Sequence, residues 1–126
     1  MHGVLAMQTV RIVVSVLLGV SVAACDPGFC ENEVIEDIYS KDLSHVVTVF
    51  DRSCAGPSPI VHVVAIRKAG DQFDPENHGD WLFTIHGQSE VHTEWIGQSR
   101  IHISFRDNGD QPTMRTEWNG IQVFYN

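Results

Sequence analysis

Three side chains that can bind a transition metal are spaced so that they can share one face of a β-hairpin. His92, Glu94 and His102 lie in two alternating runs that flank residues 97–99. A three-residue loop would place Glu94 opposite His102, with His92 diagonal to the pair. Two imidazoles and a carboxylate can bind zinc and leave a fourth position open. A solvated polar face or a His–Glu ion pair is the alternative that we favour, so we predict no metal and no cofactor.

Four acidic side chains, Asp71, Asp74, Glu76 and Asp80, lie in a segment rich in Gly and Pro at residues 69–80. Calcium prefers several carboxylate and carbonyl oxygens, but the spacing does not match the calcium loop of helix–loop–helix proteins. We therefore expect an exposed hydrophilic loop, with these acids as candidate binding residues only.

The sequence contains no motif that would activate a serine. Ser44 precedes His45, and Ser58 lies in a proline-rich segment, but neither residue lies in a Gly-x-Ser-x-Gly turn. We assign no catalytic residue and predict a protein that is not an enzyme.

An uncharged apolar run at residues 12–24 follows Arg11 and ends directly before Cys25. This run has the length and the positive flank of an export signal, and it is shorter than the roughly 20 residues that span a bilayer. The sequence therefore predicts export rather than a membrane-spanning helix.

The last four residues of this segment, Val22-Ala23-Ala24-Cys25, resemble the bacterial lipobox. The resemblance implies cleavage before Cys25 and lipidation of that cysteine, with diacylglycerol on its sulfur and a fatty acid such as palmitate on its amine. Ordinary signal cleavage after Ala24, which would leave a free thiol, is the alternative. Asp26 resembles the signal for inner-membrane retention in enteric bacteria, but other bacteria sort by different rules, so the choice of membrane stays open.

The three cysteines of the chain fit one lipid anchor and one disulfide. If Cys25 carries lipid, Cys30 and Cys54 remain as a pair in an oxidising compartment. Two unpaired buried thiols are the alternative. A bridge between Cys30 and Cys54 would stabilise a small domain by roughly 3 kcal/mol in the chain-entropy model.

Composition and charge restrict the partners of the mature chain. Removal of residues 1–24 leaves 102 residues, enough for one small domain, and changes the net charge from −8 to −9 because Arg11 is lost. This charge opposes binding to nucleic acid or to anionic lipid surfaces. We expect a signal peptide at residues 1–24, a lipidated tether at 25–33 and a single β domain at 34–126, held close to the membrane.

The rest of the chain predicts an all-β domain of about seven strands, built as a small antiparallel β-sandwich or barrel. The run at residues 60–68 is apolar on both faces and is therefore expected at the centre of a sheet. Asn119-Gly120 predicts a type I′ hairpin turn. Short β-branched or alternating runs occur at residues 45–52, 60–68, 81–86, 90–96, 100–106, 114–118 and 121–125. Residues 34–39 are also predicted as a strand because β-branched residues dominate there, with a single helical turn as the alternative.

Several short motifs together resemble a group of small bacterial lipoproteins of unknown function. They are Cys30-Glu31-Asn32-Glu33, Phe50-Asp51-Arg52-Ser53-Cys54, Asn77-His78-Gly79-Asp80, the run at 91–95 and the run at 119–123. The resemblance supports the cysteine pair and the β fold, and it implies no activity. The chain departs from the group at residues 40–43 and at residues 54–58, which puts any binding role of the second segment in doubt.

These observations predict a non-enzymatic, lipid-anchored protein of the bacterial cell envelope that faces the periplasm. Its partners would be the membrane, through the lipid, and an envelope protein bound by an exposed sheet face, edge or loop. One alternative is an inhibitor or immunity-type lipoprotein that blocks a periplasmic hydrolase with the loop at 69–80. Another is a metal-dependent hydrolase that uses His92, Glu94 and His102.

Overall fold

A computed structural model describes residues 29–56 and 59–126, which form nine β-strands and one short 3-10 helix. None of the helical residues in these two ranges belongs to a segment long and apolar enough to cross a bilayer. The strands are β1 Cys30–Tyr39, β2 His45–Cys54, β3 Val61–Lys68, β4 Trp81–His86, β5 Val91–Trp95, β6 Arg100–Phe105, β7 Thr113–Met114, β8 Glu117–Trp118 and β9 Ile121–Tyr125, and the 3-10 helix is His78–Asp80.

The strands form two open sheets, so the predicted all-β class is confirmed. The first sheet has the order β1-β2-β3-β4-β7 and is antiparallel throughout. The second has the order β5-β6-β9-β8, and its β6–β9 pair is parallel. The architecture is not a closed barrel and agrees with the predicted sandwich. Buried side chains from both sheets form the main core: Val47, Val49, Val64, Ile66, Leu82, Phe83, Ile85, Ile101, Ile103, Trp118, Ile121 and Val123.

The predicted central position of residues 60–68 is confirmed, because β3 lies in the middle of the five-stranded sheet. Residues 63–66 are all buried, although successive side chains of a strand point to opposite faces. One face contributes to the main core. The other forms a smaller cluster with Phe50, which is covered by Phe73 and Trp81. The segment at 69–80 thus packs on the outer face of the sheet through Phe73, although its acids are largely exposed.

The strands differ from the prediction in two main ways, and the other boundaries agree to within two residues. β1 begins at Cys30 rather than Val34, so residues 30–33, which were predicted as a tether, pair with β2. The single strand predicted at 114–118 is two short strands that belong to different sheets. The chain crosses between the sheets at Arg115 and Thr116, and this crossing interrupts the strand.

The two predicted hairpins are confirmed. Asn119 and Gly120 have φ angles of 46° and 85°, the positive values that a type I′ turn requires. The hairpin of β5 and β6 has the predicted register, in which Trp95 pairs with Ile101, Thr93 with Ile103 and Val91 with Phe105.

Candidate functional site

Cys30 and Cys54 form a disulfide, as predicted. They face each other at the end of the β1–β2 ladder, with their Cα atoms 4.0 Å apart. The bridge therefore fixes the first residue of β1 to the last residue of β2. Cys25, the predicted lipidation site, lies outside the described residues.

β1 is the edge strand of the five-stranded sheet, and it is ten residues long. It pairs with β2 on one side, and no described strand pairs with its other side. In an antiparallel pair, alternate residues direct their N–H and C=O groups away from the partner strand. The open side of β1 therefore presents backbone donors and acceptors to which a further strand can bind. We call the unpaired side of residues 30–37 the open edge.

β1 also exposes apolar side chains. Val34 is 48% exposed, Ile35 is 56% exposed, and Tyr39 at the end of the strand is 51% exposed. Other segments also expose single apolar residues, but on β1 Val34 and Ile35 lie beside unpaired backbone groups, where a bound strand can cover them.

A β-bulge interrupts the β1–β2 ladder between Val34 and Glu36. Before the bulge, Glu33 pairs with Asp51, and after it Glu36 pairs with Val49. Asp51 and Val49 are two positions apart on β2 and thus share a face. The additional residue, Ile35, therefore returns Glu36 to the face that Glu33 occupies.

Three exposed acids form a row on this face of β1, namely Glu31, Glu33 and Glu36, which we call the acidic row. None of the three carboxylates has a hydrogen bond or an ion pair to another described residue. The fourth acid of β1, Asp37, lies on the opposite face and accepts a hydrogen bond of 2.6 Å from the Thr48 hydroxyl. Beside the row is a cleft of about 180 Å³, lined by Glu31, Asn32, Glu33, Asp51, Ser53 and Ile60.

The arginine nearest to this edge is already engaged. The Arg52 guanidinium donates to both carboxylate oxygens of Glu76 at 2.8 and 2.9 Å, and to the Asn32 side-chain oxygen at 3.1 Å. It also lies over the Trp81 ring, 5.8 Å from the ring centroid. These hydrogen bonds from Arg52 hold the pKa of Glu76 below its usual value of 4.5. Arg52 therefore fastens the 69–80 segment to the sheet and does not neutralise the acidic row.

The other loop acids also have separate structural partners. Asp74 accepts a hydrogen bond from the backbone N–H of Glu76, and Asp80 accepts one from the Asn77 side chain. The backbone carbonyl of Asp71 accepts one from Arg67. The structure does not gather Asp71, Asp74, Glu76 and Asp80 around a common point, since the described residues contain no group of three His, Cys, Asp or Glu arranged to hold a metal ion.

The hairpin pair predicted from the sequence is present. Glu94 lies opposite His102, with 3.6 Å between the Glu94 Oε1 and the His102 Nδ1. His92 pairs with Ser104 and lines a separate open cleft of about 370 Å³ with Glu90 and Arg106. Within residues 29–56 and 59–126, His92, Glu94 and His102 do not form a group arranged to hold a metal ion.

An unexpected cluster links Asp42, Ser44 and His45 in the turn before β2. The Ser44 hydroxyl lies 2.7 Å from the Asp42 carboxylate and 2.9 Å from the His45 Nδ1. Hydrogen bonds from the Ser44 hydroxyl and backbone N–H and from the Ser40 hydroxyl lower the pKa of Asp42 to about 2. In a catalytic triad the histidine lies between the serine and the acid. Here Ser44 lies between Asp42 and His45, so these hydrogen bonds stabilise the turn and do not activate Ser44 as a nucleophile.

Comparison with known proteins adds no relative: no protein-family model matches the chain, and neither a curated protein nor a solved structure matches it.

Proposed function

We propose that this chain is a lipid-anchored protein of the bacterial cell envelope whose β domain binds another envelope protein by adding a strand of that protein to the open edge of β1. The observation that carries the proposal is a ten-residue edge strand with one unpaired side and exposed Val34 and Ile35. Strand addition uses backbone hydrogen bonds for affinity and side-chain pockets for specificity. The disulfide supports this role because it holds the start of the edge strand in place.

The position of β1 in the chain connects the two parts of the proposal. The apolar segment at 12–24 and the lipobox-like sequence that ends at Cys25 support lipidation, as does the resemblance to small bacterial lipoproteins. Cys30 follows Cys25 by five residues, and five extended residues span about 18 Å at most. A lipid on Cys25 would therefore keep the open edge near the membrane surface, where a membrane-associated partner can reach it.

The anchor is tested by metabolic labelling with a palmitate analogue. The wild-type chain should incorporate the label, and Cys25→Ala should not. A Cys54→Ser chain serves as a control, because it loses a cysteine of the disulfide and keeps the lipobox. If the wild-type chain takes up no label, or if Cys25→Ala retains it, the lipid anchor is wrong.

The binding surface is tested by site-specific photocross-linking in cells. A photoreactive amino acid in place of Ile35 should give one dominant adduct with an envelope protein. The matched control is the same amino acid in place of Phe124, which is 43% exposed on the other sheet. Equal adducts from both positions, or none from position 35, would contradict binding at the open edge.

The same experiment separates the hydrolase-inhibitor alternative. A third position, Asp71, places the photoreactive group in the 69–80 loop, away from β1 in the sequence. An adduct with a hydrolase from position 71, without one from position 35, would contradict strand addition and support inhibition of the hydrolase by the loop.

A further inference from the structure

We infer that the partner strand at the open edge is cationic, with Lys or Arg at alternate positions that face the acidic row. This inference rests on the proposed function and specifies the chemistry of the partner. β1 contains four acids and no basic residue among its ten positions. The bulge adds Ile35 to the strand, so Glu36 lies on the same face as Glu31 and Glu33.

The basic side chains near the acidic row have other partners. Arg52 pairs with Glu76, and its side chain is only 11% exposed. His62 pairs with Asp51 at 2.6 Å between its Nδ1 and the carboxylate oxygen. A partner that supplies positive charge would therefore meet carboxylates that form no ion pair with a described residue.

The spacing of the acids suits an added strand. Side chains directly opposite each other on paired strands lie about 4.5–5.5 Å apart, close enough for a charge pair. A Lys or Arg side chain on the added strand can therefore pair with a carboxylate of the acidic row.

A second copy of the chain is a poor occupant of the same edge. Pairing β1 with another β1 would place acidic strands side by side, and like charges on directly opposed positions destabilise a sheet. The whole chain also carries a net charge of −8, which adds a longer-range repulsion between copies. The charge pattern therefore selects a different, basic protein.

Binding of designed peptides to the full chain in an uncharged detergent tests the inference. The probe is a peptide with the ten-residue length of β1 in which Lys alternates with Val. One control peptide has Glu in place of Lys, and another has the Lys–Val sequence with alternate backbone nitrogens methylated, which blocks strand pairing. The Lys–Val peptide should bind at least about tenfold more tightly than either control, and its affinity should fall with added salt.

A matched pair of variants assigns the binding to the acidic row. Glu33→Gln with Glu36→Gln should weaken binding of the Lys–Val peptide about tenfold. Asp71→Asn with Glu90→Gln removes the same number of exposed charges elsewhere and should change the affinity less than about twofold. Circular dichroism of both variants checks that the fold is retained, and hydrogen exchange should show peptide-dependent protection of β1 amides.

The outcomes distinguish the inference from the function on which it rests. Equal affinity for the Lys and Glu peptides, unchanged affinity in the Glu33/Glu36 variant, or a dimer of the chain that forms through β1 would overturn a cationic partner. If the cross-link from position 35 still forms, strand addition survives with a partner of different charge. If neither the cross-link nor peptide protection of β1 is observed, both proposals fail.

Discussion

The indole N–H of Trp95 donates a hydrogen bond of 2.9 Å to the backbone carbonyl oxygen of Ile38. Trp95 ends β5, an edge of the four-stranded sheet, and Ile38 lies in β1, an edge of the five-stranded sheet. One side chain thus joins the two sheets where their edges meet. It covers the last part of β1 and leaves the residues before Ile38 as the open edge.

Replacing Trp95 by Phe should test this junction. The variant keeps an aromatic ring but loses the hydrogen bond, so we expect the free energy of unfolding to fall by about 1–2 kcal/mol in urea denaturation. Trp81→Phe is the matched control, because the buried Trp81 Nε1 has no hydrogen-bond partner among the described residues. A Trp81→Phe loss as large as that of Trp95→Phe would mean that ring size, and not the hydrogen bond, stabilises the junction.

Loss of the disulfide should destabilise the whole domain and loosen β1 first. Cys30 and Cys54 are separated by 24 positions, and opening a loop of this length lowers the free energy of unfolding by about 3 kcal/mol in the chain-entropy model. β1 has a neighbour strand on one side only, so it depends most on the bridge. Chemical denaturation and amide exchange of Cys30→Ser/Cys54→Ser measure both effects. Uniformly faster exchange in all strands would contradict a specific role in holding β1.

The strands that are rich in β-branched residues, and the hairpins with strong turn signals, were predictable from the sequence. The pairing of Cys30 with Cys54 was predictable from the number of cysteines, with Cys25 assigned to lipid. The start of β1 was not predictable, because Glu31, Asn32 and Glu33 have weak β propensity. They are extended because they pair with β2 in a register that the disulfide fixes. The parallel β6–β9 pair was also missed, since neither strand carries a local signal for its non-adjacent partner.

The acidic row could not be found by sequence pattern alone. Glu31 and Glu33 have the spacing of one strand face, but Glu36 falls on the other face of a regular strand. Only the bulge at Ile35 brings the three acids onto one face, and β1 contains no glycine or proline that would indicate a bulge. The sequence instead indicated the four acids of the 69–80 loop as candidate binding residues. In the structure, one of them, Glu76, holds the loop to the sheet through Arg52.

The turn before β2 should give a measurable acid-side pH dependence. The pKa of Asp42 is lowered from 3.8 to about 2, chiefly by the Ser44 hydroxyl. A lowered carboxyl pKa adds stability above pH 3.8, and this stability is lost as the pH falls towards 2. Ser44→Ala should raise the pKa of Asp42 and flatten the stability profile in that range. Carboxyl-carbon NMR titration and thermal unfolding against pH measure the two effects, and an unchanged titration would contradict the assignment.

Tyr125 should give the opposite dependence at high pH. Its hydroxyl lies 2.6 Å from the Arg115 carbonyl oxygen, at the crossing between the sheets, and burial raises its pKa from 10.0 to about 12. The neutral hydroxyl is therefore favoured by folding, and its contribution is complete below pH 10 and is lost as the pH rises towards 12. Tyr125→Phe should lower the free energy of unfolding by about 1 kcal/mol at pH 7. In urea denaturation this deficit should shrink above pH 10, and a deficit that does not change with pH would show that the hydroxyl is not the stabilising group.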